Sequence, residues 1–296
     1  MILNIFDGTI TALITPFFQG EIDFKSLKAL IDRQIKSGIN GIVIGGSTGE
    51  GSCLNEEQYF KLVEVASEYA ANRINIFAGM TAVSTNEALI KLNKLSNFSI
   101  NGIMCTAPHY IKPEQEGLFQ HFKAIHAASS LPLMLYIHPG RTACDFADDT
   151  IFKIMELERF VAIKDATSDL EKPLRILPKS DINMLTGNDS AVLSYYANGG
   201  CGCVSVISNI FPKLCKQIDN SWKNGEIGKA LVIQRELAPL YSAIFAESNP
   251  IGIKYAAYKL GLCSEEILLP LTFASSAVRS GIDIELERLK VFEENV

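Results

Sequence analysis

The chain has 296 residues, of which 48% are hydrophobic, with a formal charge of −6 and a pI near 5.4. That length and apolar content suffice for a large core with sheets covered on both faces, so one domain, or one barrel with an appendage, is expected. Scattered basic residues in an acidic chain exclude nucleic acid as the expected partner, and the opening apolar run is too short, too soon broken by Asp7, Gly8 and Pro16 and too poor in basic residues for a membrane or export signal.

In chain order, apolar β-rich runs occupy residues 9–14, 41–44, 74–78, 102–105, 133–137, 161–163, 182–185 and 203–207. They read as continuous hydrophobic runs, the pattern of parallel strands buried on both faces. Between them, helical spacing appears over 24–37, 55–70, 114–128, 147–155 and 189–197, with a short Pro-interrupted stretch at 170–177. Eight strands in this rhythm predict a closed (β/α)8 TIM barrel in the α/β class. A doubly wound open sheet is the alternative, but no G-x-G-x-x-G fingerprint opens the chain.

After the eighth run the chain reads as helical: 211–220, 225–247, 252–259, 265–268 and 272–291, with Pro239 expected to end or kink the second. This predicts a barrel core over 1–209 and C-terminal helices over 210–296, which include the barrel closure and a helical appendage. The seven cysteines form an odd set in a chain too large to need staples, which favours reduced thiols in a cytosol.

In a barrel, chemistry gathers at the carboxyl ends of the strands. GGSTGEG, Gly45 to Gly51, follows the second run and exposes Ser47, Thr48 and backbone N–H groups to a carboxylate or oxyanion; a plain Gly-rich turn reads equally well. It lacks a G-K-[ST] ending, and Glu50 would repel a phosphate. The sixth run, VAIKDAT, places Lys164 after three apolar residues. Aimed into a buried mouth, this amine would lose hydration and become the neutral nucleophile that attacks carbonyls; on the rim it would pair with Asp165 or another acid.

The fifth run ends YIHPGRTA, setting Tyr136 at the mouth as a proton-relay phenol and Arg141 just beyond as a fork for a carboxylate; a core-edge tyrosine and a surface arginine are the structural alternatives. The stiff Pro108–Pro113 loop holds Tyr110 over a cavity or merely packs it. Gly187, Asn188 and Asp189 shape the mouth after the seventh run, with Asp189 equally readable as a helix cap, and Val204 follows a glycine cluster that permits close backbone approach. The four histidines form no H-E-x-x-H unit and Cys201-x-Cys203 lacks a partner cluster, so no metal site is expected.

These same segments carry a resemblance. TALITPF, GGSTGEG, TAPHYIKP, LYIHPGRT, AIKDAT, LTGND, the Gly-Cys cluster before VSV and ESNPIGIKYAAYKLG, in that order along nearly the whole chain, resemble the 4-hydroxy-tetrahydrodipicolinate synthase (dihydrodipicolinate synthase) family of class I pyruvate lyases. The resemblance implies that Lys164 forms the Schiff base with pyruvate, Tyr136 relays protons through Thr48 and Ser47 towards Tyr110, and Tyr110 is donated across a tight-dimer interface. It further implies that Arg141 receives the carboxylate of L-aspartate 4-semialdehyde, and that Gly187 and the Val204 carbonyl line the pyruvate pocket. The implied product is (2S,4S)-4-hydroxy-2,3,4,5-tetrahydrodipicolinate of the diaminopimelate and lysine route, formed without metal or organic cofactor in a cytoplasmic homotetramer built as a dimer of tight dimers.

Sugar-acid members of the superfamily usually lack an arginine at the Arg141 position, which favours the semialdehyde over another pyruvate-dependent aldolase activity; Lys164 with Tyr136 argues against a catalytically silent barrel. Ser47 stands for the usual threonine, and Ile137 and His138 for the usual asparagine and valine. At the implied lysine-inhibition site, Glu56, Tyr59, Val83 and His109 replace polar partners while Glu87 retains the acid, predicting weak or absent inhibition by lysine.

Overall fold

The computed structural model describes residues 5–293 and is a closed eight-stranded parallel barrel ringed by helices. The strands are β1 Gly8–Ala12, β2 Gly41–Ile44, β3 Asn75–Met80, β4 Gly102–Thr106, β5 Leu133–Ile137, β6 Phe160–Asp165, β7 Asn183–Thr186 and β8 Gly202–Ser205. Each pairs with its sequence neighbours and β8 returns to β1 in the register Gly8↔Gly202, so no edge is left open.

Side chains on a strand alternate between faces, and here the alternation divides the core in two. Ile10, Val43, Phe77, Met104, Met134, Ala162, Leu185 and Val204 point inward and fill the barrel. Their neighbours, among them Ile42, Ile44, Ile103, Leu135 and Ile163, point outward and pack under the helices. Phe6 stacks on Phe77 at 4.4 Å between ring centroids and plugs the amino-terminal end, leaving the other end for chemistry.

The helices are α1 Phe24–Lys36, α2 Glu56–Ala70, α3 Thr85–Leu95, α4 Gln115–Ala128, α5 Asp148–Met155, α6 Lys172–Ile176, α7 Val192–Ala197 and α8 Pro212–Lys223, then α9 Ile227–Ile244, α10 Ile251–Lys259 and α11 Ser276–Glu293. Local chemistry starts them: Asp23 accepts from the Lys25 and Ser26 amides, and Asn55 and Gln58 form a reciprocal capping box. The predicted helical spans omitted α3, although Ser84 caps it and Ala88, Leu92 and Leu95 recur on its buried face. They also gave no hint of the small Phe17–Phe18/Glu21–Ile22 hairpin.

Other expectations fail for reasons visible in the hydrogen bonding. The first strand stops short of residue 14 because the Ile14 amide donates to Asn209 Oδ1 (3.0 Å). The last stops at Ser205 because the Val206 amide donates to Asp189 Oδ2 (2.9 Å). Pro239 does not end α9: Leu237, Leu240 and Tyr241, all buried around it, hold the helix against its neighbours. The expected helix at 265–268 is absent. There the Leu268 amide donates to Glu50 Oε2 (2.7 Å), and the Glu266 carboxylate accepts from the Gln19 and Gly20 amides, so the segment's polar groups are drawn outward into cross-links.

Candidate active site

Strand alternation settles the orientation of Lys164. It faces into the barrel above Ala162 while its neighbour Asp165 faces out, where it meets Lys172 (3.2 Å) and accepts from the Tyr195 hydroxyl (2.8 Å). The rim pairing with Asp165 is thereby excluded. Lys164 is only 5% exposed, and among the described residues no carboxylate lies within ion-pair distance of its Nζ, which rests 4.0 Å from the centroid of the Tyr136 ring. The parallel register places Tyr136 directly across from Lys164, and Thr106 across from Tyr136.

Lys164, Tyr136, Thr48, Arg141 and Gly187 line one cavity of about 360 Å3 at the carboxyl end of the barrel. Gly187 is glycine for a local reason: a Cβ there would lie 2.9 Å from Lys164 Cε, so any side chain would press on the lysine stem. Ser47 lines an adjoining cavity of about 240 Å3 together with Thr106 and His109. Tyr136, His138, Arg141 and Asn249 border both spaces and join them. Tyr110, expected to act across a dimer interface, is 87% exposed with a left-handed φ of 73° and lines neither cavity of its own chain; Val204, expected to contribute its carbonyl, buries its side chain in the barrel interior, and Val206 lines the cavity wall.

The GGSTGEG loop is folded tightly over itself, since a Cβ on Gly51 would lie 1.8 Å from the Gly45 carbonyl oxygen. Glu50, expected to face a ligand and repel phosphate, instead spends its charge internally: Oε1 accepts from Lys254 Nζ (2.9 Å), and both side chains are almost fully buried. Lys254 also donates to the Thr15 carbonyl (2.6 Å), so this pair ties the loop and the segment after β1 to α10. Asp189 is no simple helix cap. It accepts from the Ser205 hydroxyl (2.5 Å) and the Val206 amide, clamping the ends of β7 and β8, and burial raises its carboxyl above the usual range.

Asn249 and His138 were not among the sequence candidates for the site. Asn249 Nδ2 donates to Thr48 Oγ1 (3.0 Å), and its carbonyl accepts from Arg141 Nη2 (2.8 Å), so one residue from the C-terminal helices fixes two site groups. The ESNP segment carried its signal only as part of the resemblance. Thr106 Oγ1, His138 Nδ1 and Asn249 Oδ1 are buried without a hydrogen-bond partner, and all three residues border these cavities. Of the seven such atoms among the described residues, three gather at this one mouth, and that clustering marks a surface suited to a polar ligand. Among the described residues, no three His, Cys, Asp or Glu side chains are grouped to hold a metal ion.

The model of the dihydrodipicolinate synthetase family matches residues 5–288. The 4-hydroxy-tetrahydrodipicolinate synthase of Rickettsia bellii (strain OSU 85-389) is 45% identical over 290 residues, covering 97% of this chain and 99% of that protein. The solved structure of the 4-hydroxy-tetrahydrodipicolinate synthase from Methylacidiphilum fumariolicum SolV superposes with a TM-score of 0.94 at 35% identity, covering 96% of each chain. The dihydrodipicolinate synthase structure from Aquifex aeolicus gives 0.94 at 34% identity, covering 96% of this chain and 98% of that one. With this match in sequence, fold and extent, the chain belongs to the dihydrodipicolinate synthetase family.

Proposed function

We propose that this protein condenses pyruvate with L-aspartate 4-semialdehyde through a Schiff base on Lys164 and releases 4-hydroxy-tetrahydrodipicolinate by cyclisation. The observation that carries the reading is a buried lysine without an acid partner, set against a tyrosine ring in a cavity that also holds an arginine. Lys164 adds to the keto carbon of pyruvate and water leaves. Loss of a methyl proton gives the enamine, whose carbon attacks the aldehyde, and the amino group of the adduct then displaces Lys164 as the ring closes.

Tyr136, across the register from Lys164, moves protons, with the Thr48 hydroxyl held in place by Asn249. Ser47 serves from the adjoining cavity, Gly187 leaves room for the lysine stem, and Arg141 receives the semialdehyde carboxylate. The Val204 carbonyl is assigned to the pyruvate pocket by the resemblance alone. Tyr110, exposed and held in a left-handed conformation, is suited to insertion into a partner's site, which supports a tight dimer and a tetramer built from two of them. All seven cysteines are free thiols, which supports a reducing cytoplasmic setting, and among the described residues no helix is long and apolar enough to cross a membrane.

Borohydride added with pyruvate is expected to leave a covalent adduct that peptide mapping places on Lys164. Turnover is expected with aspartate semialdehyde and not with N-acetylneuraminate or 2-keto-3-deoxy-gluconate. An adduct elsewhere, or none in active enzyme, overturns the mechanism; preference for a sugar acid overturns the substrate.

A further inference from the structure

We propose that His138 is the base that takes the proton from the ammonium group of the bound aldehyde, freeing the amine that closes the ring. The inference rests on the reading above and adds a residue to it. Ring closure needs a nitrogen lone pair, yet an α-amino acid arrives at neutral pH with that nitrogen protonated. Its ammonium and carboxylate sit on one carbon, so a base for the first must stand beside the receptor for the second.

His138 stands there. It follows Tyr136 by two, just past the end of β5, precedes the short turn Pro139–Thr142 that carries Arg141, and borders both cavities with Arg141. Neither ring nitrogen is hydrogen-bonded to another described residue, and Nδ1 is buried as well as unpartnered. The ring lies edge-on to Tyr136 at 5.7 Å between centroids, with its Cε1 and Nδ1 edge against Gly140, which leaves Nε2 as the nitrogen to meet the substrate.

Burial first, and then the charges of Arg141 and Lys164, push the imidazole down to about 4, which keeps it uncharged at neutral pH. A substrate carboxylate on Arg141 cancels one of those charges and raises the basicity of the ring in the complex. The other titratable or charged groups facing the two spaces are Tyr136, Lys164 and Glu247 on one side and Glu50, Cys53 and His109 on the other. Of the two acids, Glu50 is paired with Lys254, and Glu247 accepts from the Ser275 amide.

In the step, the ammonium N–H bond breaks and its proton passes to the imidazole. The freed lone pair bonds to the iminium carbon, one proton shifts from the new ring nitrogen to Lys164 Nζ, and the bond from carbon to Nζ breaks with its electrons remaining on the lysine. The ring iminium and the imidazolium each release a proton to solvent.

His138→Gln and His138→Val test this in the full-length enzyme. Borohydride trapping of pyruvate on Lys164 should be unchanged, which also reports an intact fold. Turnover with the semialdehyde at pH 7 should fall by about 10²-fold. The loss should shrink as pH rises and the substrate amine ionises unaided, and added imidazole should restore part of the rate in His138→Val. Unchanged turnover overturns the inference, as does an equal loss at every pH with no imidazole effect, which is the signature of a structural role. Absence of semialdehyde turnover in the unaltered enzyme defeats the substrate reading itself and this inference with it.

Discussion

The polar groups inside the barrel mouth and those between the strands and the helices obey opposite rules. In the outer layer three buried acids are each answered: Asp165 by Lys172 and Tyr195, Asp219 by Lys216, Lys223 and Tyr196, and Glu50 by Lys254. At the mouth, Lys164 has no acid, and Thr106, His138 and Asn249 each keep an unpaired buried atom. Lys164 and Asp165 are adjacent in sequence, so strand alternation alone assigns one to chemistry and the other to architecture. Satisfied clusters hold the frame; unsatisfied ones wait for substrate.

That contrast breaks if the mouth residues prove to be architectural. Lys164→Ala should lower turnover by on the order of 10⁴-fold while the melting temperature holds or rises, because a buried polar group without an acid partner has been removed. A large fall in melting temperature would count against it. In the outer layer the signs reverse. Glu50→Ala strands the Lys254 ammonium, which burial already pushes below its ordinary range, and urea unfolding should show a loss of about 3–5 kcal/mol. The exposed pair Lys61–Glu64 offers the control, and breaking it should leave the urea midpoint almost unchanged. Arg141→Ala should cost about 10²-fold in kcat/KM for the semialdehyde with little change in pyruvate trapping; equal losses in both would give Arg141 a general structural role.

Much of this was legible in the amino-acid sequence because it depends on period and position. The eight apolar runs, the lysine that follows one of them, and Tyr136 with Arg141 after another are read from local sequence and need no tertiary knowledge. What escaped depends on contacts between distant segments. Asn249 meets Thr48 across 201 positions, and Glu50 meets Lys254 across 204, so the same glutamate reads from its neighbours as an anion facing the ligand. The helix expected at 265–268 is lost to cross-links with Glu50 and with the hairpin, partners far away in the chain. Missing α3 is a different matter, since its cap and spacing were present locally.

His121 extends the comparison to pH. Buried beside Phe122 and hydrogen-bonded to Thr85 Oγ1 (2.9 Å), it is pushed by burial from 6.5 to about 4. The unfolded chain therefore takes up the proton first, so its contribution to stability is complete above about pH 6.5, declines as pH falls, and is exhausted near pH 4. Urea midpoints measured across that window should drop more steeply for the native chain than for His121→Gln. Parallel slopes would show that this histidine is not the group titrating.

The smallest expected effect is none at all. A cavity of about 440 Å3 is lined by Glu56, Tyr59, Val83, Glu87 and His109, the residues at which the resemblance implies a lysine-inhibition site. Its two acids are already engaged: Glu56 pairs with Lys94, and Glu87 pairs with Lys91 (2.7 Å) while accepting from the Val83 amide (3.0 Å). A lysine ligand would have to displace these cations with its own ammonium groups, exchanging like for like with no net gain. Millimolar L-lysine should accordingly leave the initial rate unchanged, and Lys91→Ala, which releases Glu87, should introduce sensitivity. Strong inhibition of the native enzyme would show that an internally satisfied acid still recruits a ligand, and the rule separating the two polar regions would fail at this cavity.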